Sequence, residues 1–240
     1  MKTKFLHIAT ALLFAGFTSS CSDFLDRYPL DELSDSSFWK TENDAMMAVT
    51  DIYGCLPTWD QDEDINSDNA VHGIKWAAGN ISKGIYDPMD QSWAGSYTPI
   101  RQCNLVLEKV KDIEMSDESR KKIEGQAYFF RAFVYFNLIR SFGDVPYIDK
   151  PLNLTDVEDI TRTPREEVYA KVMADFDKAI EYLPEEWDAA NTPRVTKGAA
   201  LAMKARAALY YSNWQVAADA SKAVIDLGKY ELYDAGNTGK

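Results

Sequence analysis

The chain has 240 residues, of which 46% are hydrophobic and 27% are charged, and it contains only three cysteines. This composition excludes a disordered chain, a collagen-like repeat and a small disulfide-rich scaffold. Its 26 lysines and arginines against 38 aspartates and glutamates give a net charge of -12, which argues against a protein that follows nucleic-acid phosphates. The length suits one large domain or two small ones.

Residues 1–20 have the layout of a secretory signal peptide. Lys2 and Lys4 make a basic start, a mostly apolar run follows over 5–17, and small residues close the segment at 18–20. The apolar run is too short to span a bilayer comfortably. We therefore expect residues 1–20 to be a signal peptide that is cleaved from the mature protein.

The first residue after this segment is Cys21. Small residues directly before a cysteine are similar to a bacterial lipobox, which predicts that Cys21 is lipidated. The alternative is ordinary cleavage near Ser20, with Cys21 left as a plain thiol. Residues 21–35 are short, polar and acidic, as suits a lipidated tether, and several acyl chains would anchor the protein firmly to a membrane.

Hydrophobic periodicity predicts an all-α domain over residues 36–240. Thr41 is the predicted N-cap of a first helix, whose apolar stripe stops at Pro57. The stretch 57–99 is rich in glycine, proline, tryptophan and tyrosine but has no sustained period, so it predicts a long structured loop region. The helical pattern resumes at Ile100.

The longest predicted helix covers 117–142. Ser116 is its predicted N-cap, acidic residues occupy its first turn, and Gly143 stands where a C-terminal glycine belongs. Its residues are apolar nearly all round, which predicts a central, buried helix.

Three more helices are predicted after a polar connection. The run 163–166 has the pattern of a capping box with proline at the first helical position, Thr196 is the predicted N-cap of an alanine-rich helix, and Asn213 that of a last helix closed by Gly228. The short turn before Asn213 predicts an antiparallel hairpin similar to a tetratricopeptide pair, with Trp214 in its core.

Catalytic and metal-binding patterns are weak. Once residues 1–20 are removed, His72 is the last histidine, which excludes a multi-histidine metal site. Cys55 and Cys103 allow a disulfide, although their positions on apolar helix faces favour two buried thiols. The alternating aspartates at 60, 62 and 64 are similar to the start of a calcium loop, but Ile65 and Val71 stand where its glycine and its closing glutamate belong, which excludes an EF-hand. The sequence therefore predicts no metal, no cofactor and no enzyme.

Several blocks in order resemble the RagB/SusD family of outer-membrane nutrient-uptake lipoproteins. The residues 125–146, which begin Gly-Gln-Ala-Tyr-Phe-Phe-Arg-Ala, resemble its central signature. The blocks 161–184 and 194–214 are similar to the helices that follow it. The opening from Cys21 and the helix from Phe38 also fit, so the resemblance covers essentially the whole chain.

The resemblance implies a SusD-like helical scaffold of tetratricopeptide-like hairpins with a loop-rich insertion. It also implies a non-catalytic, surface-exposed lipoprotein that captures a glycan and delivers it to a TonB-dependent SusC-like transporter of the outer membrane. Members of the family generally continue for a further couple of hundred residues beyond this point. We therefore expect the chain to be the amino-terminal portion of a longer protein.

Sugar-binding chemistry favours the aromatic loop region as the ligand site. Sugars pack their C–H faces on flat rings and need amide, carboxylate or guanidinium partners for their hydroxyls. The preferred pair is Trp93 and Tyr97, just ahead of Pro99. In the family, an aromatic ring just before the helix that contains Asn104 often contributes to the ligand platform, and the resemblance implies this role for Trp93. The further candidates are Trp76, Tyr86, Asp68 and Asn69. The competing interpretation is that these rings only pack the loops onto the helices.

Two other functions remain as alternatives. One is a tetratricopeptide-like scaffold on the outer membrane whose helix pairs bind other proteins. The other is a surface glycosidase, for which no pair of carboxylates can be selected from the sequence.

Overall fold

The computed structural model of the protein describes residues 38–56, 84, 93–156 and 159–232. This part of the chain forms helices joined by short connections, with a single isolated β-bridge, and the prediction of an all-α fold is confirmed. The helices are α1 (Glu42–Ile52), α2 (Trp93–Lys109), α3 (Asp117–Phe142), α4 (Arg165–Tyr182), α5 (Lys197–Tyr210) and α6 (Trp214–Asp226).

The helix α3 is the centre of the fold and has the predicted bounds. It begins after Ser116, whose hydroxyl accepts a hydrogen bond from the Ser119 N–H at 3.0 Å, and it ends at Gly143 with φ of 70°. Thirteen of its residues are buried, on every side of the helix, because it packs between α2 and α4. Within the described residues, no helix has the length and hydrophobicity needed to cross a membrane.

The other helices are arranged around α3. The helix α1 lies against α2 and α3, and it begins with the predicted cap: Thr41 and Asp44 exchange hydrogen bonds between side chain and backbone. On the opposite side, α4 packs against α5, and α5 and α6 form the predicted antiparallel hairpin. Thr196 caps α5 as predicted, accepting from the Ala199 N–H at 3.3 Å.

The start of α2 differs from the prediction. The helix begins at Trp93, so the end of the predicted 57–99 loop region is helical, while 57–83 and 85–92 lie outside the described residues. The reason is that Pro99, the end of the predicted loop region, is tolerated inside the helix. It removes one N–H, and the carbonyl that this N–H would meet belongs to Gly95, which has no side chain to add to the crowding.

The capping box predicted over 163–166 is also wrong. Thr163 exchanges both backbone hydrogen bonds with Val145 and so belongs to the β-bridge, and the residue before the first turn of α4 is Pro164, which has no capping side chain. The carboxylate of Asp144 takes that role instead, accepting from the Arg165 N–H at 2.9 Å. The end of α3 therefore caps the start of α4.

Two predictions about the hairpin of α5 and α6 are also wrong. Asn213 precedes α6 but makes no side-chain cap, and Trp214 is 63% exposed rather than buried in the core. The buried residues of α6 are Ala217 and Ala220. Small residues let α6 approach α5 closely, which leaves no space for an indole between the two helices.

A buried polar cluster ties α3 to its neighbours. Arg131 donates from Nε and Nη2 to the two carboxylate oxygens of Asp175, both at 2.7 Å, and from Nη1 to Asn104 Oδ1 at 2.8 Å. Asn104 in turn donates to the Ile148 carbonyl at 2.9 Å, and the Ile148 N–H donates to the Tyr135 hydroxyl at 2.6 Å. The cluster thus holds α2, α4 and the connection after α3 in fixed positions.

Candidate functional site

Trp93 and Tyr97 lie one turn apart at the start of α2, with ring centroids 5.9 Å apart. Both side chains are half-buried against the core. Trp93 meets the ring of Phe142, the last residue of α3, edge to face at 4.8 Å and 89°. The structure therefore brings together the preferred pair of candidate residues where α2 begins and α3 ends.

The exposed side chain of Arg162 lies over the indole of Trp93. The guanidinium carbon is 5.1 Å from the ring centroid, and Nη1 donates to the Asp144 carbonyl at 2.9 Å. This is a cation–π contact at the surface. It places hydrogen-bond donors beside a flat, partly accessible ring, which is the combination that a sugar needs.

Tyr97 has a different position from its neighbour. Its hydroxyl donates to the Pro146 carbonyl at 3.0 Å, and burial raises its pKa to about 12. The hydroxyl is therefore neutral at physiological pH and already hydrogen-bonded. The Tyr97 hydroxyl therefore fastens α2 to the connection after α3.

A groove of about 500 Å³ lies beside the first turns of α2. Its wall on α1 carries Asp51, which accepts a hydrogen bond from Gln102 of α2, and its wall on α3 carries Phe133 and Asn137. The amide of Asn137 is half-buried and makes no hydrogen bond within the described part of the chain. Hydroxyl groups of Ser96 and Thr98 complete the polar lining.

Sequence reasoning missed this groove because its polar residues come from three helices that are distant along the chain. Residues 51, 98 and 137 share no motif, and each reads alone as a surface position of its own helix. The signal that points to the groove is spatial: Gly54 and Gly95 carry no side chain, which leaves the space between α1 and α2 open.

The two described cysteines are free thiols. Cys103 is buried as predicted, but Cys55 is only half-buried because it lies in the short turn after α1. Burial raises the pKa of Cys55 to about 11 and raises that of Cys103 further, so neither is a nucleophile at neutral pH. Over the described ranges, no three His, Cys, Asp or Glu side chains are grouped closely enough to hold a metal ion.

The remaining candidates lie outside the described residues. They are the lipidation residue Cys21 and the ligand candidates Trp76, Tyr86, Asp68 and Asn69.

Comparison with known proteins places the chain among SusD-like sequences. A family profile described as SusD-like, starch-binding and associating with the outer membrane matches residues 24–209. SusD-like protein P2 of Formosa agariphila is 29% identical over 94% of this chain and 46% of its own length. A SusD-like protein of Bacteroides ovatus is 25% identical over 98% of this chain and 44% of its own length. The chain spans about half the length of the curated relatives it matches.

Solved structures agree with these sequences. The crystal structure of a SusD-like protein from Bacteroides fragilis matches 87% of this chain and 42% of its own, with a TM-score of 0.76 and 28% identity. A laminarin-binding SusD-like protein matches 77% of this chain and 43% of its own, with a TM-score of 0.70 and 24% identity, which shows the shared fold. The family profile covers most of the chain, and the relatives and structures agree with it, so the chain belongs to the SusD-like family.

Proposed function

We propose that this protein is a non-catalytic glycan-binding lipoprotein, held on the cell surface by lipid at Cys21, which delivers its ligand to a TonB-dependent SusC-like transporter of the outer membrane. The observation that carries the proposal is the half-buried Trp93 with the guanidinium of Arg162 over its ring. Around it, the described structure offers an aromatic surface and an adjoining polar groove. This is the chemistry of a shallow sugar site.

In this site each group has a defined part. The exposed portion of the Trp93 ring packs against a sugar face, and Arg162 donates to a ring oxygen or hydroxyl. The amide of Asn137, which has no hydrogen-bond partner among the described residues, can both donate and accept, which suits a sugar hydroxyl that enters the groove. Tyr97 keeps α2 in place while the ligand binds.

The family supports a carbohydrate ligand. Its profile is described as starch-binding, one relative in structure is named as laminarin-binding, and another, at 22% identity, is a surface glycan-binding protein of Bacteroides fluxus. Starch and laminarin are both neutral glucans. Neutral glucans are therefore the first ligands to test on this chain.

Affinity gel electrophoresis tests the binding proposal. Residues 21–240 should be retarded in gels that contain laminarin or amylopectin, and Trp93→Ala should weaken the interaction by about tenfold. Trp214→Ala is the matched control, since it removes an exposed tryptophan from another helix. Trp93→Ala also removes a packing contact with Phe142 and so lowers stability. Asn137→Ala is therefore the second variant, because it removes no such contact and should have little effect on stability. Unchanged retardation of both variants would contradict the proposed site.

The anchor and the partner need separate experiments. Cys21→Ala should abolish incorporation of labelled palmitate and release the protein from the membrane fraction. Co-purification of the wild-type protein with a SusC-like transporter is expected, and its absence would remove the delivery step from the proposal. Released reducing sugar from a glucan incubated with pure protein would contradict the non-catalytic assignment.

A protein-binding scaffold is the second candidate function. The hairpin of α5 and α6 exposes apolar side chains, with Leu209 at 54%, Trp214 at 63% and Ile225 at 74%. Contiguous exposed apolar patches are typical of protein contacts, and these three side chains belong to one hairpin. On this candidate, Trp214→Ala disrupts an interaction that Trp93→Ala leaves intact, so the same two variants separate the two functions.

A further inference from the structure

A second groove, of about 470 Å³, lies near the same end of the helical body. The last turns of α3 contribute Arg140, the first turn of α4 contributes Arg165 and Glu166, and the end of α5 contributes Tyr210 and Tyr211. The groove therefore combines two guanidinium groups with two tyrosine rings, although the chain as a whole has a net charge of -12.

The guanidinium of Arg140 is available to a ligand. Its carbon lies 5.9 Å from the centroid of the Tyr210 ring, and within the described residues it makes no hydrogen bond and no ion pair. A position near the end of α3 suits a positive charge, because the carbonyl end of a helix is electronegative. Helix stability thus accounts for the charge at this position but not for the groove around it.

Arg165 is not explained by helix stability. It is the first residue of α4, where the macrodipole disfavours a cation. Glu166 offsets this through an exposed ion pair of 2.8 Å, and it occupies only Nε of the guanidinium. Within the described residues, the terminal nitrogens of Arg165 make no hydrogen bond, so they can meet another acceptor.

Tyr210 supplies a flat surface beside Arg140 in the same groove. It is 56% exposed, and its ring meets that of Phe136 at nearly a right angle, with centroids 5.5 Å apart, which restrains the ring orientation. A fixed, exposed ring beside a guanidinium suits a sugar ring that carries an acidic substituent: the ring packs on the tyrosine and the anion meets the arginine fork.

The groove is connected to the Trp93 site through Asp144. Its carbonyl accepts from Arg162, which lies over Trp93, and its carboxylate accepts from the backbone N–H of Arg165. Trp93, Arg162, Arg165 and the groove are thus joined by a short chain of direct contacts. One extended ligand can therefore reach from Trp93 to the second groove.

We propose that Arg140, Arg165 and Tyr210 bind an acidic saccharide, with the two arginines holding a carboxylate or sulfate group and the tyrosine ring packing on the sugar. This inference rests on the proposed function, because it names a charged class of glycan for a second subsite. It predicts a preference between two forms of the same sugar chain that differ only in charge.

Calorimetric titration of residues 21–240 with oligogalacturonate and with its methyl ester tests the proposal. The free acid should bind at least about tenfold more tightly than the ester, and Arg140→Gln or Arg165→Gln should remove that difference. Arg206→Gln, an exposed arginine of α5 outside the groove, is the matched control. Oligosaccharides of a sulfated galactan form the second arm, which separates sulfate from carboxylate recognition.

Several results would overturn the proposal. They are equal binding of acid and ester, absence of binding to both acidic probes, unchanged affinity in both arginine variants, and equal binding of hexaglutamate, which would indicate an acidic peptide instead. Neutral glucan binding and its loss in Trp93→Ala are measured on the same samples. Failure of the groove and failure of the proposed function are therefore distinguishable.

Discussion

The buried pair of Arg131 and Asp175 allows a sharp prediction about stability. Both side chains are only 8% exposed, and the carboxylate meets the guanidinium through two hydrogen bonds of 2.7 Å. Asp175→Ala leaves a buried cation whose nearest described acceptor is Asn104, at 2.8 Å. An uncompensated buried charge costs about 3–5 kcal/mol, which is a large part of the roughly 5–15 kcal/mol that stabilises a typical domain.

The double variant Arg131→Met with Asp175→Leu should be more stable than Asp175→Ala alone. It removes both charges and fills their volume with apolar groups, a change that is often neutral in itself. The remaining cost is the side-chain oxygen of Asn104, which loses its donor and costs about 1–3 kcal/mol. The expected order of stability is therefore wild type, then the double variant, then Asp175→Ala.

Urea unfolding followed by circular dichroism measures these free energies. Asp177→Ala is the control, because Asp177 lies on the same helix, is 60% exposed and pairs with Lys204 at the surface, where a pair is worth about 0–1 kcal/mol. The reasoning is refuted if Asp175→Ala costs less than about 1 kcal/mol, or if the double variant is no more stable than the single one.

Three other predictions concern stability. Burial raises the pKa of Tyr97 and of Tyr147 from 10.0 to about 12, so between these pH values the folded state holds protons that the unfolded state has released. The contribution of these two groups to stability is therefore complete below pH 10 and is lost as the pH rises towards 12. In thermal unfolding between about pH 8 and 11, the melting temperature of Tyr147→Phe should fall less than that of the wild type. Gly198→Ala places a Cβ against the Tyr230 hydroxyl and should displace that side chain, whereas in a Tyr230→Ala background the same change should stabilise α5 by at most about 1 kcal/mol in urea unfolding. Ser116→Ala should cost about 1 kcal/mol by the same measurement, and Ser116→Asn should retain most of the cap.

The sequence predicted best what depends on neighbouring residues. The bounds of α3 follow from Ser116 and Gly143, whose capping roles need only the adjacent turn. The all-round apolar pattern of the helix likewise predicted its central position. In both cases the residues that carry the pattern belong to the same helix, or to its caps, as the feature that they predict.

Two of the failures depend on packing between elements, and one on a proline that the helix tolerates. The cap of α4 comes from Asp144, 21 residues before the N–H that it binds, and no local pattern can indicate it. Trp214 reads as core by its position in the hairpin, but the close approach of α5 and α6 through alanines leaves it outside. The predicted loop region ends at Pro99, although the turns before this proline are helical in the folded protein.

The candidate site was predicted in part for the same reason. Trp93 and Tyr97 could be selected because both belong to one short segment with an aromatic excess. Arg162, which lies over Trp93, and Asn137, which lines the adjoining groove, reach the site only when α3 and the connection after it are in place. Their roles depend on tertiary contacts that no sequence period records.

An experimental structure of residues 21–240 with the most tightly bound neutral oligosaccharide tests the central claim most directly. The account predicts a sugar ring within about 4 Å of the exposed part of the Trp93 indole, with hydroxyls hydrogen-bonded to Arg162 or to Asn137. A bound oligosaccharide that leaves Trp93, Arg162 and Asn137 all untouched would contradict it.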